Sequence, residues 1–210
     1  MSRKSHLSAY LGAFIGLMGW AFTNLGLAAS LSPQDCNTVI SQAIAQANIE
    51  PSLLRPNATT KMHIACINRQ GIIKGFHSMS DAWTGSIYIA KAKGYTAAAF
   101  SSDENALTTR SIGELSQPGG PLWQIGNSNL PGTANGVQER GIIEFPGGLP
   151  LYKDGELVGG VGVSGDGVDQ DECVAIAGAV GFDSNGLIRI DTVTAGGVQY
   201  TSTSFVCATP

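Results

Sequence analysis

Charge of either sign is scarce in this 210-residue sequence. Asp, Glu, Lys and Arg make up 13% of it, against about a quarter in an average soluble domain. Twelve Lys and Arg stand against sixteen Asp and Glu, which gives a formal net charge of −4. Because no basic surplus exists to hold a polyanion, nucleic acid is excluded as an expected partner.

Cysteine is also scarce, and no two of the four cysteines form a C-x-x-C pair. This wide spacing disfavours a structural zinc site. An even number of cysteines in an exported chain favours disulfides, and four cysteines allow three pairings. One bridge with two buried thiols is the alternative. The four are Cys36, Cys66, Cys173 and Cys207.

Charge is absent altogether from residues 7–29, which follow a short basic start and end in small residues. This pattern is typical of a secretory signal peptide. We therefore predict a signal peptide at residues 1–29 and a periplasmic or secreted protein. An uncleaved membrane anchor is the alternative, and it would be the only contact with a membrane.

Periodicity and turn signals divide the rest into a domain at residues 30–183 and a C-terminal β-hairpin extension at residues 184–210. Because short turns connect the strands, the sheet should be antiparallel and the fold class α+β. Asp81 is the expected cap of the second helix, and Ser102 or Asp103 of the third. The predicted helices are 32–47, 81–100, 102–115 and 169–182, and the predicted strands are 61–68, 71–79, 141–145, 149–153 and 156–164.

Glycine is concentrated in residues 145–167, where Gly160, Gly162 and Gly165 match G-x-G-x-x-G. A dinucleotide site needs this motif between a strand and a helix of a parallel βαβ unit. Here Val161 and Val163 alternate with the glycines as in a strand, and acidic residues open the next helix. We therefore read these glycines as positions of close backbone approach rather than a phosphate loop.

The stretch "GGLPLYKDGELVGGVGVSGDGVDQDECVAIAG", residues 147–178, closely resembles the signature of the GlcG/HbpS-like haem-binding (DUF336) family. The resemblance covers roughly residues 32–182. The segment "IAKAKGYTAAAF", residues 89–100, is similar to a second family motif, and "GPLWQI", residues 120–125, to a third. The family's R-M-D-G-A stretch is replaced by "HSMSDA", residues 77–82. The matching signature residues are Gly147, Gly148, Pro150, Asp154, Gly155, Gly159, Gly162, Val163, Ser164, Gly165, Gln170, Asp171 and Glu172.

The resemblance implies a profilin-like α/β sandwich, with an antiparallel sheet and the N- and C-terminal helices packed on it. It also implies self-association as a dimer or higher homo-oligomer, and haem as the cofactor.

Haem needs an axial ligand and partners for its propionates. His77 and Met79 lie two apart and would share one face of a strand, so we propose His77 as the metal ligand with Met79 beside it. Lys91 and Lys93 could hold the propionates and Tyr95 could bind ferric iron, all within the cofactor site. A solvent-exposed histidine, solvated lysines and a packing tyrosine are the structural alternatives.

Tyr88 is a further candidate iron ligand, whereas His63 lies among apolar residues and is expected to be a hydrogen-bonded core histidine. The acidic residues at positions 166, 169, 171 and 172 could bind a hard cation, but a capped helix start explains them more simply.

We therefore expect an exported protein that binds haem or another small planar ligand, with a role in haem or iron handling or the oxidative stress response. The alternative is an enzyme or accessory subunit acting on a small metabolite of a catabolic pathway, including haem degradation. We find no nucleophile with its base and no acid/base pair in the sequence that would identify a reaction.

Overall fold

The fold was taken from a computed structural model, which describes residues 29–123, 125, 141–184, 194–195, 198–199 and 206–209. The elements follow one another as α1 (Pro33–Ala47), β1 (His63–Asn68), β2 (Ile73–Ser78), α2 (Ser86–Phe100), α3 (Thr109–Leu115), β3 (Gly148–Lys153), β4 (Glu156–Ser164), α4 (Val168–Gly178), β5 (Thr194–Ala195) and β6 (Val198–Gln199).

Four strands form one sheet in the order β2-β1-β4-β3, and every pairing is antiparallel. Helices α1 and α4 pack together and cover one face of this sheet, whereas α2 covers the other. The α+β class and the sandwich, with its first and last helices on the sheet, are therefore confirmed.

The start of α1 follows directly from its sequence. The Ser32 hydroxyl accepts a hydrogen bond from the backbone N–H of Asp35, and the Asp35 carboxylate accepts one from the Ser32 N–H. Pro33 occupies the first turn, where its missing N–H costs nothing. Val39 and Ala43 then bury the same face of the helix against the sheet.

Glycines in β4 allow α2 to lie directly on the strand. A Cβ atom on Gly162 would lie 2.0 Å from the carbonyl oxygen of Ala90, and one on Gly160 would lie 2.4 Å from that of Gly94. Two of the three glycines of the G-x-G-x-x-G match thus lie inside a strand that a helix covers. The prediction of close backbone approach is confirmed.

The predicted cap of α2 is wrong. Asp81 has a φ of 64° and belongs to a turn, and its carbonyl oxygen accepts a hydrogen bond from Arg55. The helix begins only at Ser86, with Gly85 as an N-cap that has no side-chain hydrogen bond.

The predicted caps of α3 are also wrong, because Thr108 is the N-cap residue. Ser102 instead accepts hydrogen bonds from two backbone N–H groups of its own turn. Asp103 accepts one from the Leu157 N–H of β4. Both side chains are thus engaged outside α3, in contacts that local sequence does not reveal.

The predicted strand at residues 141–145 is not a strand. Its carbonyl at Gly141 accepts a hydrogen bond from the Thr96 hydroxyl, which in turn accepts one from the N–H of Ile143. Because the Thr96 side chain of α2 binds the backbone of this apolar segment, the segment lies against α2 instead of joining the sheet.

All four cysteines are paired, as Cys36–Cys66 and Cys173–Cys207. The short strands β5 and β6 pair antiparallel, while most of the predicted extension at residues 184–210 and of the predicted signal at 1–29 lies outside the described residues. The boundaries of these segments stay predictions. Among the helices that the structure describes, none is long and apolar enough to cross a membrane.

Candidate functional site

A buried ion pair ties α2 to the start of α4. The Lys93 side chain is fully buried, and its Nζ lies 2.6 Å from Asp171 Oδ2 and 3.0 Å from the carbonyl oxygen of Val163. The other carboxylate oxygen accepts the N–H groups of Gly165 and Asp166. Burial lowers the pKa of Lys93, and the charge of Asp171 opposes that shift. The Lys93 amine, which the sequence suggested as a partner for haem propionates, is thus enclosed and already bound to Asp171 and Val163.

The remaining acidic residues at the start of α4 are paired within the chain. Arg110 donates one hydrogen bond to Asp169 and one to Glu172, and each N···O distance is 2.6 Å. Asp166 accepts hydrogen bonds from the Ser52 hydroxyl and from the N–H of Leu53, which fixes the loop of residues 48–60. No group of three possible metal-ligating side chains occurs among the described residues. The acidic residues that follow β4 are therefore held by ion pairs and hydrogen bonds within the chain.

Alternation along β2 places His77 on the α1 face of the sheet. Its cross-strand partner is Ile64 of the core, and Gly75 on the same face approaches Cys36 of α1. The His77 side chain is half-buried and makes no hydrogen bond to another described residue. Met79 lies on this face too, as predicted, but it packs on the core and its Sδ accepts the N–H of Met62.

The opposite face carries what we call the α2–β2 groove, formed by Phe76, Tyr88, Lys91 and Tyr95. Lys91 Nζ lies 5.2 Å from the ring centre of Phe76 and 5.3 Å from that of Tyr88, and both rings are exposed. Such an arrangement of rings and an ammonium suits a planar ligand with acidic groups. Tyr95 also lines a cavity of about 160 Å³, together with Arg69, Gln70, Gly71, Ala98 and Ala99.

The sequence-predicted residues therefore do not form one cluster. Lys91 and Tyr95 share the α2–β2 groove, His77 and Met79 lie across the sheet from it, and Lys93 is inside the protein. Sequence reasoning missed the partners of Lys93 and the role of Phe76. A lysine between Ala92 and Gly94, in a helix of small residues, was the available signal for a buried charge.

His63 is a core histidine with both ring nitrogens bound. Its Nε2 lies 2.9 Å from the Trp83 carbonyl oxygen, which can only accept, so Nε2 carries the proton and Nδ1 accepts from the Ser78 hydroxyl at 2.8 Å. Burial lowers the pKa of His63 below its usual 6.5. Ligation of iron would require a ring nitrogen to give up its hydrogen bond.

His63 should make folding sensitive to weak acid. Since its pKa is lower in the folded than in the unfolded protein, the unfolded chain binds more protons below pH 6.5, and the free energy of unfolding should fall as pH drops from about 7.5 to 5.5. His63→Gln should remove this part of the pH dependence. Urea unfolding of both proteins measures it, and parallel pH profiles would contradict the assignment.

Solved structures with the same fold include a Klebsiella pneumoniae protein, ORFY of family DUF336, at 23% identity and a TM-score of 0.58, covering 77% of this chain and 97% of that one. The PduOC:Heme complex matches at 24% identity and a TM-score of 0.54, covering 81% of this chain and 100% of that one. A double mutant of Streptomyces reticuli HbpS matches at 19% identity and a TM-score of 0.56, covering 86% of this chain and 99% of that one. At these identities the likeness shows the fold alone.

Curated relatives match over 97 residues, or 46% of this chain. The corrinoid adenosyltransferase PduO of Salmonella typhimurium is 34% identical, with 25% of its length covered. A 15.0 kDa protein from the dhaT-dhaS intergenic region of Citrobacter freundii is 36% identical, with 58% covered. The chain thus spans only a quarter to somewhat over half of these relatives. The family model described as haem degrading protein HbpS-like matches residues 31–180, and the chain belongs to this HbpS-like family.

Proposed function

We propose that this protein is exported, self-associates and binds haem or a related tetrapyrrole. The family description and the haem complex of a structural relative support the ligand. The two disulfides support an oxidising compartment, the periplasm or the exterior. The observation that carries the proposal is the half-buried imidazole of His77, which has no hydrogen bond within the described structure.

The chemistry of the residues fits haem held at the protein surface. An imidazole is a common axial ligand of haem iron, and His77 can provide one without loss of a hydrogen bond to any described residue. Bound haem would supply an iron centre for redox or oxygen chemistry. The cavity of about 160 Å³ beside Tyr95 is smaller than the pockets of about 300–1,000 Å³ that enclose drug-sized ligands.

Lys91 and Tyr95 define the competing location. They lie in the α2–β2 groove, so a haem ligated by His77 and a haem held in the groove would occupy different faces of the sheet. In the groove, Lys91 would hold the propionates and Tyr95 would be the candidate oxygen ligand. We assign Lys93 a structural role, because its amine is buried against Asp171.

A haemin titration with two neighbouring variants of β2 separates these locations. His77→Ala and Phe76→Ala change adjacent positions whose side chains point to opposite faces. We expect saturable binding and a sharp Soret band for the native protein, at least about tenfold weaker binding by His77→Ala, and little change in Phe76→Ala.

Export and self-association need separate measurements. Mass spectrometry of protein recovered from the periplasm or medium should show a chain that begins near residue 30, and size-exclusion chromatography should show an oligomer.

The reverse pattern would overturn the ligand assignment. A Soret band retained in His77→Ala and lost in Phe76→Ala would move haem to the α2–β2 groove. Broad, unsaturable adsorption by the native protein would contradict haem binding itself.

The family description also favours haem degradation as a second function. Incubation of the haem complex with a reductant and oxygen tests it. Loss of the Soret band with release of iron would support an enzyme, whereas a stable spectrum would support a binding protein.

A further inference from the structure

The C-terminal residues 206–209 return to the domain and close over the end of α1. The N–H of Ala208 donates to Glu50 Oε2 at 3.0 Å, and its carbonyl oxygen accepts from Gln46 Nε2 at 2.8 Å. Gln46 Nε2 also donates to Glu50 Oε2 at 2.8 Å. Cys207, one residue earlier, is bonded to Cys173 of α4.

This contact recognises backbone rather than a side chain. Gln46 and Glu50 together bind the donor and the acceptor of a single residue, so they recognise an extended segment by its peptide groups. Both are buried, with only 9% and 3% of their surface exposed. A buried carboxylate needs hydrogen-bond donors, and the tail provides one of the two that Glu50 Oε2 receives.

The two disulfides differ in access to solvent. Cys36 and Cys66 are exposed by only 1% and 0%, and they join α1 to β1 inside the core. Cys173 is exposed by 2%, but Cys207 is half-buried and stands on the tail. Because thiol exchange requires direct attack on a sulfur atom, a reductant reaches Cys207 first.

We propose that residues 206–209 form a redox-released strap, which the Cys173–Cys207 disulfide locks over Gln46 and Glu50 at the end of α1. The family match ends at residue 180, so this strap is an addition to the domain. It is independent of haem binding. The strap is closed under oxidising conditions and opens when a thiol reductant is present.

The opening step is a thiol–disulfide exchange. A thiolate of the reductant attacks Sγ of Cys207 and forms a mixed disulfide, while Cys173 leaves as a thiolate that takes up a proton. A second thiol of the reductant resolves the mixed disulfide. Two electrons and two protons pass to the protein, and the reductant leaves as its own disulfide. Among the described residues, the hydrogen bonds that then still hold the strap are those to Gln46 and Glu50, which water can replace.

Hydrogen exchange and thiol alkylation of the full chain, both followed by mass spectrometry, test the strap. In a dithiothreitol series, Cys173 and Cys207 should be alkylated at lower reductant concentration than Cys36 and Cys66. Over the same range, exchange of the Ala208 amide should accelerate about tenfold or more. Simultaneous reduction of both disulfides, or earlier reduction of Cys36–Cys66, would contradict selective release.

Variants separate the disulfide from the hydrogen bonds. Cys173→Ser/Cys207→Ser should show fast exchange at Ala208 without reductant, with unchanged exchange in β1 and β4, whereas Cys36→Ser/Cys66→Ser should keep Ala208 protected. Glu50→Leu in the oxidised protein should also accelerate exchange at Ala208, because the acceptor of its N–H is lost. A slow Ala208 amide in Cys173→Ser/Cys207→Ser would show that the disulfide is not the lock.

Discussion

Asp171→Leu is expected to lower the free energy of unfolding by about 3–5 kcal/mol, the cost of leaving a buried charge without its partner. Of its two hydrogen-bond acceptors among the described residues, Lys93 Nζ would keep the carbonyl oxygen of Val163, in a position without access to water. The N–H groups of Gly165 and Asp166 would also lose their acceptor. Equilibrium unfolding in urea measures the loss.

The double variant Lys93→Met/Asp171→Leu is the matched control. Replacing both members of a buried ion pair with apolar side chains of similar volume is often neutral or stabilising, so the double variant should be more stable than Asp171→Leu. Any loss in the free energy of unfolding that the double variant still shows, relative to the native protein, measures the cost of the two backbone N–H groups without an acceptor. A double variant no more stable than Asp171→Leu would show that the charge of Lys93 is not the source of the loss.

Gly162→Ala is expected to cost about 1–3 kcal/mol or more, as over-packing of a close-packed core does. The added Cβ would meet the Ala90 carbonyl oxygen at 2.0 Å and the Gly94 nitrogen at 2.2 Å. Both are backbone atoms of α2, so the whole helix must move away from β4. Urea unfolding gives the free energy, and near-ultraviolet circular dichroism reports the changed packing.

Gly85→Ala is the control for this substitution. A Cβ at Gly85 meets nothing within 4 Å, and its φ of −61° suits any residue. The free energy of unfolding should change by less than about 0.5 kcal/mol. Equal effects of the two substitutions would contradict close approach of α2 as the reason for glycine at position 162.

The local sequence was enough to predict an element wherever residues close together in the chain determine its structure. Ser32 and Pro33 marked the start of α1, and the Asp154–Gly155 pair marked the turn between β3 and β4, where both residues adopt the positive φ that a tight hairpin requires. The glycines of β4 indicated close approach but not by which element. The family signature and the α+β class followed from the same local patterns.

The features that the sequence did not predict depend on contacts between residues that are far apart in the chain. Asp171 lies 78 residues from Lys93, and no spacing rule connects them. The apolar segment 141–145 looked like a strand, but the hydroxyl of Thr96 binds its backbone. His77 and Met79 share a face as their spacing indicated, yet only the packing of α2 against β4 shows that Lys91 and Tyr95 lie on the other side.

The sheet order also determines when this protein can finish folding. β1 is central, and its hairpin with β2 can form as soon as both strands exist. Its second neighbour, β4, lies about ninety residues further along, and such non-local pairing folds slowly because a long loop must close first. The buried contact of Ile64 with Val163 therefore forms only after most of the polypeptide has been synthesised.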